Sequence, residues 1–332
     1  MLIRHPDVAC TMVADTCFVE DRETRLAFVG PSALAAQIVW DRLDKVSTVT
    51  EVAASAGYSP VTTQEIIDLL VADGFVLDLS TPSLVPAEEA IARVRACARF
   101  WNRHIMSQAF PTLLFSGQAT KPQVLGWGIE FFIFVRAARE YMARGASRID
   151  GPTSVLNELW DHFAEEAFHD EIFLKGLVGC GLSEGNVLGR LPLPSTTALL
   201  NFLWEASEAS DLDYAAVFAV MQPRSEPATR AEIADRYSNL KLAYPYAESL
   251  FDAFEAHDLI DVALEHSSLT IEPLIRHRQE LSRHEMARIY EGIRTTSHGF
   301  NLFFRGIAHH YTSDLAVSYR QTPTVDTMLL AS

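Results

Sequence analysis

The densest group of chemically capable side chains is the run His162-Phe163-Ala164-Glu165-Glu166-Ala167-Phe168-His169-Asp170-Glu171. On a helix, His162, Glu166 and His169 stand at i, i+4 and i+7 and share one face. Glu166 and His169 form the Glu-x-x-His pair that metal-binding bundles project into their cores. A second run, Glu255-Ala256-His257-Asp258-Leu259-Ile260-Asp261, puts His257 and Asp261 one helical turn apart and is followed by His266. Two helices that each supply an imidazole and a carboxylate suit Fe(II), Mn(II) or zinc held between them. The flanking Phe163, Phe168, Phe173 and Leu174 imply burial, and burying ionisable groups without a metal or partners is costly. Against this stands the bland reading, an acidic solvated face with a surface histidine and a satisfied core histidine. Arg136, Arg139 and Arg305 are candidates for holding a substrate carboxylate in bidentate fashion, with surface ion pairing as the alternative. His309-His310-Tyr311 either lines a pocket or ends a helix. No Gly-rich phosphate loop and no GxSxG elbow is present.

These residues need helices to position them, and from residue 87 onward the pattern is almost wholly helical. Amphipathic runs cover 88–106, 121–142, 154–178, 196–220 with a break near Ser210, 228–237, 247–264 and 280–310. Residues 313–332 read as a polar surface tail. Seven or eight helices in this span make an all-α bundle. The first 83 residues read differently. Short β patterns at 16–19 and 25–29 precede three helices: one opened by Pro31-Ser32, one capped by Thr48 with Glu51 and ended at Gly57, and one over 61–72 stopped by Gly74. A strand at 75–77 closes a winged-helix-like unit, and the stretch 80–86, with Pro82 and Pro86, connects it to the bundle.

Length and composition bound the rest. The chain has 332 residues, enough for two domains, and a net charge of −16 from 27 basic and 43 acidic side chains. Such a protein repels phosphate backbones, and the third helix of the N-terminal unit carries Glu65 and Asp68 but no Lys or Arg, so nucleic acid is excluded as the main partner. No apolar run reaches membrane-spanning length and no secretion signal is evident, which points to a soluble cytoplasmic protein. Cys10, Cys17, Cys97 and Cys180 include no CxxC and read as buried reduced thiols. Ten of the eleven histidines follow residue 100; only His5 precedes it.

Two resemblances follow from these motifs. Residues 31–77 (PSALAAQIVWDRL … TVTEVAASAGYS … VTTQEIIDLLVADGFVL) resemble the PqqD-type peptide-recognition elements, which implies a leader peptide added as a strand to residues 1–83; docking or dimerisation, with a homodimer, is the plainer expectation. The helix around Trp127-Gly128-Ile129-Glu130-Phe131, the HFAEEAFHD segment and the HDLID segment resemble the heme-oxygenase-like diiron oxidases and oxygenases, which share a bundle with TenA and PqqC. That likeness spans 87–310 and implies a mainly α, heme-oxygenase-like bundle after a small α+β unit. It also implies two iron ions, O2 as co-substrate, and an amino-acid, amine or peptide-linked substrate in specialised metabolism. The family's ligands fall on Glu166, His169, His257 and Asp261. Some members use a Glu where this chain has His162. Two further family positions depart: Gln222 stands near where a Glu is expected, with Glu226 or Glu205 as poor substitutes, and Leu264 stands where a His is expected, with His266 two residues on. One ion, or none, is therefore also open. The alternatives are a metal-free PqqC-like oxidase and a non-catalytic binding or regulatory protein that kept the fold.

Overall fold

The computed structural model describes residues 1–21, 24–43, 48–149, 151–222, 229–263 and 269–318, apart from the side chains of residues 261, 263, 315 and 318. The N-terminal unit begins with β1 (Leu2–Arg4), followed by an antiparallel meander of β2 (Ala9–Val13), β3 (Thr16–Glu20) and β4 (Arg25–Val29). Three helices follow, α1 (Pro31–Arg42), α2 (Val49–Ala56) and α3 (Pro60–Ala72), and then β5 (Val76–Asp78), which pairs antiparallel with β1, Leu2 opposite Asp78. Thr48 and Glu51 form a reciprocal capping box at α2, and Gly57 ends that helix in the left-handed region at φ 75°. The unit has its own core, which includes Leu2, Cys17, Val19, Val39, Ile67, Leu70 and Phe75. Cys17 and Cys97 are buried as expected, whereas Cys10 and Cys180 are only half-buried.

The connector carries β6 (Leu84–Pro86), paired antiparallel with β7 (Glu280–Ser282) far along the chain. Between them run α4 (Ala87–Met106), α5 (Ala109–Phe115), α6 (Lys121–Ser147), α7 (Thr153–Glu166), α8 (Asp170–Gly179), α9 (Glu184–Leu188), α10 (Pro194–Ala209), α11 (Asp211–Ala219), α12 (Arg230–Ala243), α13 (Glu248–Ala263) and α14 (Glu272–Arg278). After β7 come α15 (Arg283–His310) and α16 (Asp314–Ser318). The long α15 packs against α4, α10 and α11, and α6 packs against α7, α8 and α10. Apolar faces of these helices merge into one large core.

Three expectations need correction. The helix expected over 154–178 is interrupted at 167–169, so α7 and α8 are separate and His169 sits in a turn. Residues 280–282 form a strand, because Ser282 and Glu285 build a capping box that starts α15 only at Arg283. The tail is not all surface chain: α16 packs on α6 and buries Val317, while residues 319–332 lie outside the described residues.

What brings the two chemically rich helices together is a close approach of α8 and α13. A Cβ on Gly176 would stand 2.8 Å from the Ala253 Cβ and 2.9 Å from the Ser249 backbone oxygen. Only glycine permits that spacing, since a backbone oxygen cannot rotate out of the way. Gly176→Ala is expected to lower stability by roughly 1–3 kcal/mol, as overpacking does. Chemical denaturation of the purified variant checks this.

Candidate metal centre

Glu166 ends α7, His169 occupies the turn before α8, and His257 projects from α13. One ligand atom from each lies within 4.8 Å of the other two. His169 Nδ1 is 2.9 Å from Glu166 Oε2, and His257 Nε2 is 3.9 Å from the same oxygen. The two imidazole rings meet edge to face at 4.6 Å. His162 stands on the other side of the carboxylate, its Nε2 3.9 Å from Glu166 Oε1. Glu166 is therefore the hub of three imidazoles. Burial alone would raise its carboxyl, but His169 and His257 outweigh that and hold it well below the usual carboxylate range.

The break at 167–169 changes how the predicted stripe works. His169 is nearly buried beside Glu166, while the intervening Phe168 is 64% exposed. Asp170, the residue after His169, is held by Arg139 of α6 at 2.5 Å, which pins the turn to its neighbour helix. Arg139 thus engages one of the protein's own carboxylates. Arg136 donates to the Leu188 carbonyl at 3.4 Å, and Arg305 is exposed on α15. The structure does not gather these three arginines around Glu166.

Other predicted ligands fall elsewhere. Asp261 lies in α13 one turn after His257, but its side chain is outside the described residues, as are His266, Leu264 and Glu226. Glu205 is exposed on α10. Gln222 is absorbed by structure: its Oε1 accepts from the backbone N and the hydroxyl of Thr270, both at 3.0 Å. His309 and His310 are exposed and end α15; Tyr311 turns inward.

Several contributors escaped the sequence reading. Asp258 follows His257 and places Oδ1 3.9 Å from His257 Nδ1, on the ring edge opposite Glu166. Tyr237 Oη donates to Asp258 Oδ2 at 2.9 Å, and Arg236 lies 3.5 Å from the same oxygen. At that distance Asp258 acts on the His257 ring through its charge and not through a hydrogen bond, adding negative charge on the far side of the imidazole. An aromatic wall closes the apolar side. Trp127 stacks on Phe254 at 4.3 Å, Phe131 and Phe173 pack around them, and Phe173 touches the His257 ring at 5.4 Å. The spacing of Trp127 and Phe131 in the sequence does not indicate which cluster their helix shields.

The donor set fits a metal ion. Ligands about 2.1 Å from an ion and at right angles to one another are about 3 Å apart, matching Glu166 Oε2 and His169 Nδ1; the His257 arm is about 1 Å wider. Glu166, as a carboxylate, can only accept from His169 Nδ1 at 2.9 Å, and an ion bound between them would displace that proton. Two imidazoles and one carboxylate leave coordination positions open.

Comparison with protein-family models and with curated protein sequences finds no match. Among solved structures, the chain is similar to a domain of unknown function with a heme oxygenase-like fold from Shewanella denitrificans OS217, at 17% identity and a TM-score of 0.52 over 68% of this chain and 94% of that one. It is also similar to a TenA homolog from Pseudomonas syringae pv. tomato str. DC3000, at 12% identity and a TM-score of 0.51 over the same shares of the two chains. The bundle therefore has the heme oxygenase-like fold. At these identities the likeness concerns the fold alone. Among the described residues, no helix is long and apolar enough to cross a membrane.

Proposed function

We propose that the protein is a non-heme iron, O2-dependent oxidoreductase whose iron is held by Glu166, His169 and His257. The observation that carries this reading is the convergence of one carboxylate and two imidazoles from α7, the 167–169 turn and α13 within 4.8 Å. That donor set with open positions is the one associated with non-heme Fe(II) oxygenases. When bound, the iron supplies the one-electron and O2 chemistry that amino-acid side chains lack.

The chain's own residues bind, orient and exclude water. Glu166 brings the negative charge that offsets a divalent ion. Asp258, held by Tyr237, places a further negative charge beside the His257 ring, and the Arg139–Asp170 pair fixes the turn that carries His169. Phe131, Phe173, Phe254 and Trp127 keep one side of the centre dry, which protects reactive oxygen chemistry from water. Asp258→Asn removes a negative charge beside the centre and is expected to weaken iron binding about three- to tenfold. Competition against a colorimetric chelator measures it, and an unchanged affinity removes Asp258 from the account.

A second reading, with two irons, is favoured by one observation: His162 Nε2 faces the second oxygen of Glu166, as a ligand across a bridging carboxylate would. The substrate class we favour is an amino acid, amine or peptide-linked group. The N-terminal sheet suits the last of these, because among the described residues β2 and β4 each pair on one side only, leaving edges to which a leader peptide would add as a strand. To test the main reading, protein loaded anaerobically with Fe(II) is mixed with O2 in an oxygen electrode. Uptake by the iron form but not by zinc-loaded or metal-free protein supports it. Equal traces from all three forms would overturn it.

A further inference from the structure

His5 precedes every other histidine by about a hundred residues in sequence, yet the fold sets it against the bundle. Its backbone N donates to the Phe75 carbonyl at 2.9 Å, continuing the β1–β5 pairing and fixing where the ring goes. Pro6 then turns the chain, and the Asp7 N–H donates to His5 Nδ1 at 3.2 Å. The imidazole is fully buried, packed edge to face on Phe100 at 5.0 Å. Its Nε2 is enclosed without a hydrogen-bond partner, which is costly for a buried polar atom.

Opposite stands His104, in the last turn of α4, its ring 6.0 Å from that of His5. One ligand atom each from His5, Asp7 and His104 lies within 4.8 Å of the other two. Asp7 is already oriented: Ser107 Oγ donates to its Oδ2 at 2.7 Å, leaving Oδ1 for another role. Burial, more than any charge, holds His5 down to about 4, so its ring is neutral at pH 7. Because Nδ1 accepts from the Asp7 N–H, a neutral His5 ring carries its proton on Nε2, and Nδ1 is the lone pair that an ion would take in place of that N–H. Arg103 is the cation nearby, but it is committed to Asp21 and lies over the Phe75 ring.

We propose that His5, Asp7 and His104 form a second metal site, selective for a borderline divalent transition ion such as Zn2+, that ties the N-terminal unit to the helical bundle. Two imidazoles and a carboxylate suit zinc, cobalt, nickel or copper, and are a poor match for Mg2+ or Ca2+, which want oxygen ligands. The ligands come from a turn anchored in the first sheet and from the first long helix of the bundle, so an ion there links the two bodies directly. The site shares no residue with Glu166, His169 and His257.

The test uses the full chain carrying His169→Ala and His257→Ala, titrated with Co2+. Trp101 lies 5.7 Å from His104, close enough for a paramagnetic ion at that site to quench its fluorescence. Quenching that saturates at about one Co2+ per chain, with visible cobalt bands, and that Zn2+ reverses, is the expected result. Adding Asp7→Asn should weaken it at least about tenfold, as should His104→Gln. The same Asp7→Asn substitution in the otherwise native chain, with Trp101→Phe as the optical control, serves should the double alanine chain not fold. Absence of saturable quenching, or quenching indifferent to both substitutions, overturns the proposal. The Glu166 centre is untouched by either outcome, since it is already disabled in one chain and scored by O2 uptake in the other.

Discussion

Replacing His257 with alanine is expected to lower the affinity for Fe(II) by more than about 100-fold, beyond the loss of an outer-shell partner. Glu166 and His169 are three residues apart and already form a hydrogen-bonded pair. His257 is the arm that comes from another helix and converts that pair into a three-donor site. With it removed, two adjacent donors remain, one a carboxylate that would keep its hydrogen bond to His169 instead. The fold should survive, because His257 is half-buried and its α13 is held on α8 by Gly176 and on α6 by the Trp127–Phe254 stack. Chelator competition reports the affinity and a thermal melt reports the fold. An affinity within a few-fold of the native chain would mean that the ion, if any, is held elsewhere.

The largest expected effect on stability is at Glu130, which lies in the core with no exposure. Three donors converge on it: the Leu193 backbone N at 3.1 Å and Thr196 Oγ1 at 2.5 Å on one oxygen, and Tyr311 Oη at 2.8 Å on the other. It thereby ties α6 to α10 and to the residue that ends α15. Glu130→Ala strands all three donors and opens a cavity, and should cost roughly 3–5 kcal/mol. Glu130→Gln should cost less, because its amide oxygen can still accept two of the donors while Tyr311 Oη turns to accept from the amide nitrogen. Burial, offset only in part by the three donors, raises the Glu130 carboxyl above its ordinary 4.5. A raised carboxyl contributes stability that is present in full below the unfolded value and is lost as pH rises through the folded value. The native chain should therefore lose ground to Glu130→Gln as pH climbs from 4.5 toward neutrality. Parallel urea titrations across that range measure the difference, and a flat profile would contradict the assignment.

How much of this was legible in the residues depends on the range of the interaction. Capping boxes, the stop at Gly57 and the helical runs of the bundle are set by neighbours within a turn or so, and the sequence displays them. The His and Glu of the centre were visible for the same reason, as pairs at helical spacing. What decides their geometry is long-range. The interruption at 167–169 comes with Asp170 held by Arg139 of α6, and periodicity across Phe163, Phe168 and Phe173 hides it. Arg139 looked like a substrate clamp only because its partner is 31 residues away. Glu130 stood in plain sight within an aromatic helix, but the donors that make it structural come from residues 193, 196 and 311. Gln222 looked like a damaged ligand, whereas the fold uses it to hold Thr270. The pairing of β6 with β7 could not be read at all, since three-residue strands carry too little pattern.

The central claim is that two imidazoles and one carboxylate hold a single iron between α7, the turn and α13. X-ray absorption at the iron edge tests it most directly, using the full chain with His104→Gln, loaded anaerobically with Fe(II). The account predicts outer-shell scattering from about two imidazoles per iron and no iron–iron vector. An iron–iron vector at roughly 3.5–4 Å would replace the single-ion centre with the bridged one that His162 suggests. Iron without imidazole scattering would contradict the account outright.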